Sequence, residues 1–324
     1  FKITFSYLLN EKDDYYFYNN SSILFKAFIL IKSFFKRWKE SFSYDTYDFI
    51  FVYREAYFTS SIFFEKKIAK SSAKFIFDFD DAIWLQEVSQ GNKKWKWLKN
   101  PRKTIDIIKL ADIISVGNKY LANYASTYNS NIKIIPTTIN MSYHLPKPSI
   151  INTSITIGWT GSSSTLKYFE ILLPCLSQLK QKYNEQINFK IIVDVKKHYP
   201  EINTTTTLWN INTEIEDLNQ IDIGIMPLPN DEWTKGKCGF KGLQYMSLNI
   251  PTVMSPVGVN TEIIKDGENG FLANSSEEWV EKLSQLIENK NLRNQFSNKG
   301  HKTIRNYYSV NANKEKYLTV FNSV

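Results

Sequence analysis

The chain has 324 residues, 43% hydrophobic and 15% aromatic, enough to fill two buried cores of ordinary domain size. Forty Lys and Arg against thirty-two Asp and Glu give a net charge of +8, spread along the chain, which suits an anionic ligand or an anionic membrane surface. This composition excludes a disordered chain and a disulfide-built secreted domain: Cys175 and Cys238 offer neither a disulfide framework nor metal-ligand spacing.

The first apolar stretch, FKITFSYLL, reads as a strand over residues 3–9. A helix is predicted over 23–38, where Leu24, Phe28, Ile31, Phe35 and Trp38 recur at helical spacing among Lys26, Lys32, Lys36, Arg37 and Lys39. The favoured reading packs this stripe on the helix's own sheet, lysines outward. The other lays a basic amphipathic helix, 24–39, on an anionic membrane. Strands at 49–53, 74–78, 113–116 and 133–135 then alternate with helical patterns at 59–70, 103–110 and 119–128, which argues for a parallel sheet.

Residues after strands are the candidates for a ligand site, because ligands in such sheets sit beyond the carboxyl ends. Arg54-Glu55 follows FIFVY, Asp78-Phe79-Asp80-Asp81 ends the next strand, and Asn118 follows IISVG. The Asp-x-Asp pattern can hold a divalent cation on a diphosphate, or face a substrate directly. Arg54 reads equally as an anchor for an anionic acceptor and as an ion-pair partner of the aspartates. Asn118 is a sugar contact or, the favoured reading, the cap of the helix that follows.

Two prolines in HLPKPS, 144–149, mark a linker. A second α/β unit follows, with strands at 155–161, 189–193, 207–209, 223–226 and 251–254. Its first loop, TGSSSTLK, places Gly161, Ser162 and Ser163 ahead of a helix, where backbone N–H groups and hydroxyls form an anion nest within reach of Lys167. Further on, KGKCGFKGLQYMS sets Lys235, Lys237 and Lys241 among three glycines at the start of a helix, again an anion site. A last helix covers 310–321. No signal-like segment and no run of eighteen apolar residues occurs, so a reducing cytoplasm is the expected location, with a peripheral place on the inner membrane face as an addition. His144, His198 and His301 build no motif, and no arginine-rich tract points to nucleic acid.

From Gly236 to Leu272 the sequence resembles the C-terminal signature of retaining GT-B glycosyltransferases of the glycosyl transferases group 1 family. Gly239 with the helix 243–246, the strand 251–253, the turn from Gly258 to Glu262 and the hairpin DGENGFL at 266–272 stand in the family's order. The resemblance implies two Rossmann-like domains with parallel sheets facing across a cleft. Residues 1–145 would form the acceptor side, 151–308 the nucleotide-sugar domain, and 309–324 a helix packing back on the first. It implies a further strand, glycine loop and helix ahead of FKITFSYLL. It implies transfer of a sugar from a nucleoside diphosphate donor to a hydroxyl of a glycan or lipid-linked acceptor, with retention, in surface-polysaccharide or glycoconjugate synthesis. Lys167, Lys241 and Asp81 would serve catalysis. Gly161, Ser162, Ser163, Lys237, Gly239, Phe240, Gln244 and Glu262 would contact the donor, and Arg54, Asp80 and Asn118 the acceptor side. No metal or other cofactor is implied, since such enzymes meet the leaving group with cations and helix ends.

Two departures qualify the likeness. The family's arginine in the first loop is replaced near Gly161, and its glutamate pair falls on Gly236 and Gln244. A non-catalytic nucleotide-sugar-binding relative, acting as a partner subunit, is therefore the alternative. A metal-dependent GT-A enzyme, from the Asp-x-Asp pattern, is a second.

Overall fold

The computed structural model describes residues 1–18, 22–85, 100, 102–147 and 154–322. Its first half holds α1 (Glu11–Tyr18), α2 (Ile23–Glu40), β1 (Phe49–Tyr53), α3 (Phe63–Ala69), β2 (Lys74–Phe79), α4 (Arg102–Leu110), β3 (Ile113–Val116), α5 (Lys119–Ser126) and β4 (Ile132–Ile134). The four strands pair in parallel in the order β1-β2-β3-β4. In β2 the residues Phe75, Ile76, Phe77 and Phe79 are all fully buried, as a strand covered on both faces requires.

The second half begins with β5 (Ile155–Thr160), α6 (Leu166–Glu170), α7 (Leu173–Tyr183), β6 (Ile187–Val193), β7 (Thr205–Leu208), α8 (Glu214–Leu218) and β8 (Ile223–Met226). It continues through α9 (Glu232–Lys235), α10 (Phe240–Ser247), β9 (Thr252–Met254), α11 (Asn260–Ile263), β10 (Phe271–Leu272), α12 (Ser276–Glu288) and α13 (Lys290–Thr303). Its six strands run parallel in the order β10-β9-β8-β5-β6-β7. The order reverses beside β5, which makes the ends of β5 and β8 the switch point where such sheets take ligands. The last helix, α14 (Val310–Asn322), returns to the first sheet: Val320 shares a core cluster with Ile76, Ile113 and Ile135. Two parallel sheets stand in the arrangement that the resemblance implied.

Three expectations need correction. Residues 3–9 form no strand: their apolar side chains, Ile3, Phe5 and Tyr7 among them, stand exposed, and among the described residues β1 pairs with β2 alone. The helix expected over 59–70 is limited to Phe63–Ala69, because Lys103 Nζ holds the carbonyls of Tyr57 and Thr59 in a loop. Most consequential is α2. It buries Ile29 and Ser33 and packs Phe34 on Tyr57 and Phe64, while the stripe expected to face the sheet points to solvent. Its sequence is apolar around most of its circumference, so periodicity alone does not select the buried side. Pro148 and Ser149 of the expected linker, and the start of the second domain at 151, lie outside the described residues.

Candidate active site

The carboxyl ends of β2 and β3 meet the segment from α9 to α10. Contact there is close enough to exclude side-chain atoms: a Cβ on Gly117 would stand 2.3 Å from Cys238 Sγ, and one on Gly236 would stand 2.8 Å from the Ala82 Cβ. Asn118 joins the two halves. Its Oδ1 caps α5 by accepting from Leu121 N at 3.0 Å, and its Nδ2 donates to the carbonyls of Gly236 and Lys237 at 3.0 and 3.2 Å. The structure therefore shows Asn118 as cap and cross-domain pin together. Cys238 Sγ donates to the Asp80 carbonyl at 3.1 Å; burial, with Asp80 nearby, pushes its thiol up to about 12, so it is an inert packing group.

Four charges cross this junction. Arg54 donates to Asp80 Oδ1 through Nε at 3.1 Å and Nη2 at 2.7 Å, and Nη2 also reaches Asp81 Oδ2 at 2.6 Å. On its other oxygen Asp81 accepts from Lys237 Nζ at 2.9 Å. Arg54 sits at φ +62°, a left-handed conformation that costs a non-glycine residue and needs its surroundings to hold it. Those surroundings are built from two directions. Arg54 N donates to the Asp78 carbonyl, while the next residues are tied by Lys103–Glu55 at 2.9 Å and by Ala56 N to the buried Glu65 carboxylate at 3.0 Å. Asp78 is separate from the pair: it lies half-buried near Ser115, and burial lifts its carboxyl to about 6.

On the second domain the anion-binding geometry centres on α10. Gly239, at φ +71°, precedes its first turn, and a Cβ there would meet Ile263 Cδ1 at 2.3 Å, so only glycine fits. The first N–H groups of α10 have no intrahelical carbonyl to bind. Lys241, in that turn, lies over the Trp159 ring at 5.7 Å, and the same ring packs directly under Gly161. Trp159 thus brings the first loop and the α10 lysine together. Burial, and then the charge of Lys237, lower the Lys241 amine to about 8. Tyr245, fully buried one turn on, fixes α10 by accepting from Thr160 N at 2.8 Å.

The anion nest expected over Gly161–Ser163 is a correction. Gly161 N donates to the Ile192 carbonyl, Ser162 N to Thr165 Oγ1, and Ser163 N to Asp194 Oδ1, so all three amides have protein partners. Asp194, at the end of β6, is the anion that fills the nest. Lys167 is exposed at the start of α6, over the Tyr168 ring at 5.1 Å. Phe240 is exposed at the tip of α10. Gln244 is buried, its Nε2 3.3 Å from Glu214 Oε1 and 3.5 Å from His144 Nε2. Glu262 pairs with Lys119 of the first domain at 3.1 Å. A polar group that sequence reasoning missed sits here: Glu214 also accepts from Trp209 Nε1 at 3.0 Å, and burial lowers the pKa of His144 below the ordinary imidazole value. Trp209 is 43% exposed just past the end of β7, the edge strand two places from β5.

Residues 146–303, just under half of the chain, match the model of the family "Glycosyl transferases group 1". This stretch, which holds the second sheet, is similar to that family. No curated protein matches the chain in sequence. Among solved structures, HepE of Anabaena in complex with UDP and glucose aligns with a TM-score of 0.67 at 14% identity, covering 89% of this chain and 81% of that one. Sucrose-phosphate synthase of Thermosynechococcus elongatus gives 0.67 at 11% identity, covering 90% and 78%. A glycosyltransferase of Rickettsia africae gives 0.65 at 14%, covering 94% and 83%. At these identities the likeness to solved structures establishes the GT-B fold. Together with the family match it makes this chain a glycosyltransferase.

Proposed function

We propose that this glycosyltransferase moves a sugar from a nucleoside diphosphate donor to a hydroxyl of a glycan or lipid-linked acceptor, with retention of configuration, in surface-polysaccharide or glycoconjugate synthesis. The observation that carries the reading is Lys241 in the first turn of α10 with Lys237 just ahead of the helix, the latter paired with Asp81. Two cations and the free N–H groups of a helix start converge where a diphosphate would gain charge as it leaves. Lys167 adds a third cation from α6. Because the amides of the Gly161 loop are engaged, the phosphates fall to α10 rather than to a backbone nest. A uridine nucleotide is the first donor to try, since HepE, with the same fold, is described in complex with UDP and glucose. Trp209 offers a face for the base and Glu214 a carboxylate for ribose hydroxyls.

No divalent ion enters this scheme: Asp80 and Asp81 are paired with Arg54 and Lys237, which leaves Asp78, among the described residues, as the one carboxylate of the run without a cation of the protein against it. The second reading, a nucleotide-sugar binder without turnover, is favoured by the glycine and glutamine that stand in place of acids at Gly236 and Gln244. A thermal-shift panel of UDP-, GDP-, dTDP- and CMP-sugars with EDTA, beside Lys241→Met, tests the site. A ligand at a hundred times its Kd adds about 2.7 kcal/mol of stability. One nucleotide class should shift the wild type and leave the variant unmoved. No shift with any class would defeat the donor assignment.

A further inference from the structure

The exposed stripe on α2 is out of character for a helix of a globular domain. Leu24 is 83% exposed, Phe28 59%, Ile31 57%, Phe35 58%, Trp38 42% and Phe42, just beyond the helix, 67%. These residues fall on one side, at spacings of four, three, four, three and four. Soluble surfaces scatter single apolar residues; they do not align six large ones. The stripe widens sideways through α1, where Tyr16 meets Phe25 edge-on at 5.4 Å, and through α3, where Phe63 is exposed.

Charge identifies what covers it. Lys39, with Lys36 beyond it, flanks the stripe on α2, and Lys67 of α3 lies over the rings of Phe42 and Phe63 at 4.8 and 5.4 Å. The acids on α2 and α1 nearest the stripe are neutralised within the protein, Glu40 by Arg37 and Asp13 by Lys32. Large apolar side chains, with Tyr and Trp at the margin and lysines at the rim, match the boundary of an anionic bilayer. Beside the stripe runs a groove of about 360 Å³ between Ile31, Phe35 and Phe63 on one side and Tyr57 and Thr59 on the other, apolar on nearly all its wall.

We propose that α1, α2 and this groove seat the enzyme on an anionic phospholipid surface. The placement follows from the chain path: α2 precedes β1 and its Leu30 carbonyl accepts from Tyr57 OH, in the loop three residues past Arg54. The seated face therefore adjoins the acceptor side of the cleft. This deepens the glycosyltransferase reading by making the acceptor membrane-bound, and rests on it for that step alone.

The test is flotation of the full chain with vesicles of phosphatidylcholine, against vesicles carrying 30% phosphatidylglycerol. Binding is expected only to the anionic vesicles. Lys39→Gln with Lys67→Gln should weaken it by roughly fivefold per charge. Phe28→Ser with Phe35→Ser should abolish it, and the fold should survive because both side chains are already in solvent. Equal binding to neutral vesicles, or binding kept by the phenylalanine variant, would overturn the proposal. So would a dimer in solution that this variant dissolves while the wild type ignores vesicles. Nucleotide-induced thermal shifts measured without lipid stay the same in both variants, so failure here is distinguishable from failure of the donor assignment.

Discussion

Lys241 offers the sharpest prediction because its environment is unfavourable until a ligand arrives. Burial and the neighbouring Lys237 bring its amine from 10.5 to about 8, a difference worth about 3 kcal/mol. The folded value is depressed, so the penalty for the charged form is full below pH 8 and vanishes above 10.5. In the free protein this group makes the fold more stable as pH rises through that window. A diphosphate reverses the preference, holding the ammonium charged. Binding of UDP should then take up about three-quarters of a proton at pH 8.5, and Kd should rise about tenfold between pH 7 and 9. Calorimetry in two buffers of different ionisation enthalpy reads both numbers. Lys241→Arg, which stays charged throughout, should flatten the profile. A flat profile in the wild type, or the same slope in the arginine variant, would refute the placement of the phosphates against Lys241.

Lys167→Ala should lower turnover by about 10²–10³ with an unchanged melting temperature, if its charge meets the leaving diphosphate; an unaltered rate removes it from the site. Asp81→Asn should separate binding from chemistry. It releases Lys237 from its 2.9 Å pair, so UDP should bind about two- to fivefold more tightly while kcat falls; weaker UDP binding would show that Asp81 does not compete with phosphate for Lys237. Gly117→Ala should cost about 1–3 kcal/mol by driving a methyl into Cys238 Sγ. Adding Cys238→Ala should recover most of it in a thermal melt, and a loss the second change does not relieve would place the strain elsewhere.

Much of the framework was legible because each strand carries its own signal. The strands 49–53, 113–116 and 223–226 are bounded in the structure as their apolar runs end. The glycine and lysine segment was legible for a similar reason: Gly239, Lys241 and the helix they open are contiguous. What escaped depends on partners far along the chain. GSSS reads as an open nest, yet Asp194 arrives from 31 residues away to fill it. Asn118 is a helix cap locally, and its second role needs carbonyls 118 and 119 residues downstream. Gln244 looked available for a ribose until Glu214 and His144, from two other segments, closed over it. Residues 3–9 have strand composition but no strand beside them, and composition cannot supply the ladder. In α2 the pattern was right and its direction wrong, since a helix apolar on most of its surface does not encode which side is covered.

The most direct measurement of the central claim is turnover in EDTA: release of nucleoside diphosphate from a sugar donor, with product mass following the sugar onto a hydroxyl acceptor presented in anionic vesicles. The account predicts release with one nucleotide class, dependent on Lys241 and indifferent to metal removal. Tight nucleotide binding without release would contradict it and leave a binding protein; release abolished by EDTA would contradict the role given to the lysines of α10.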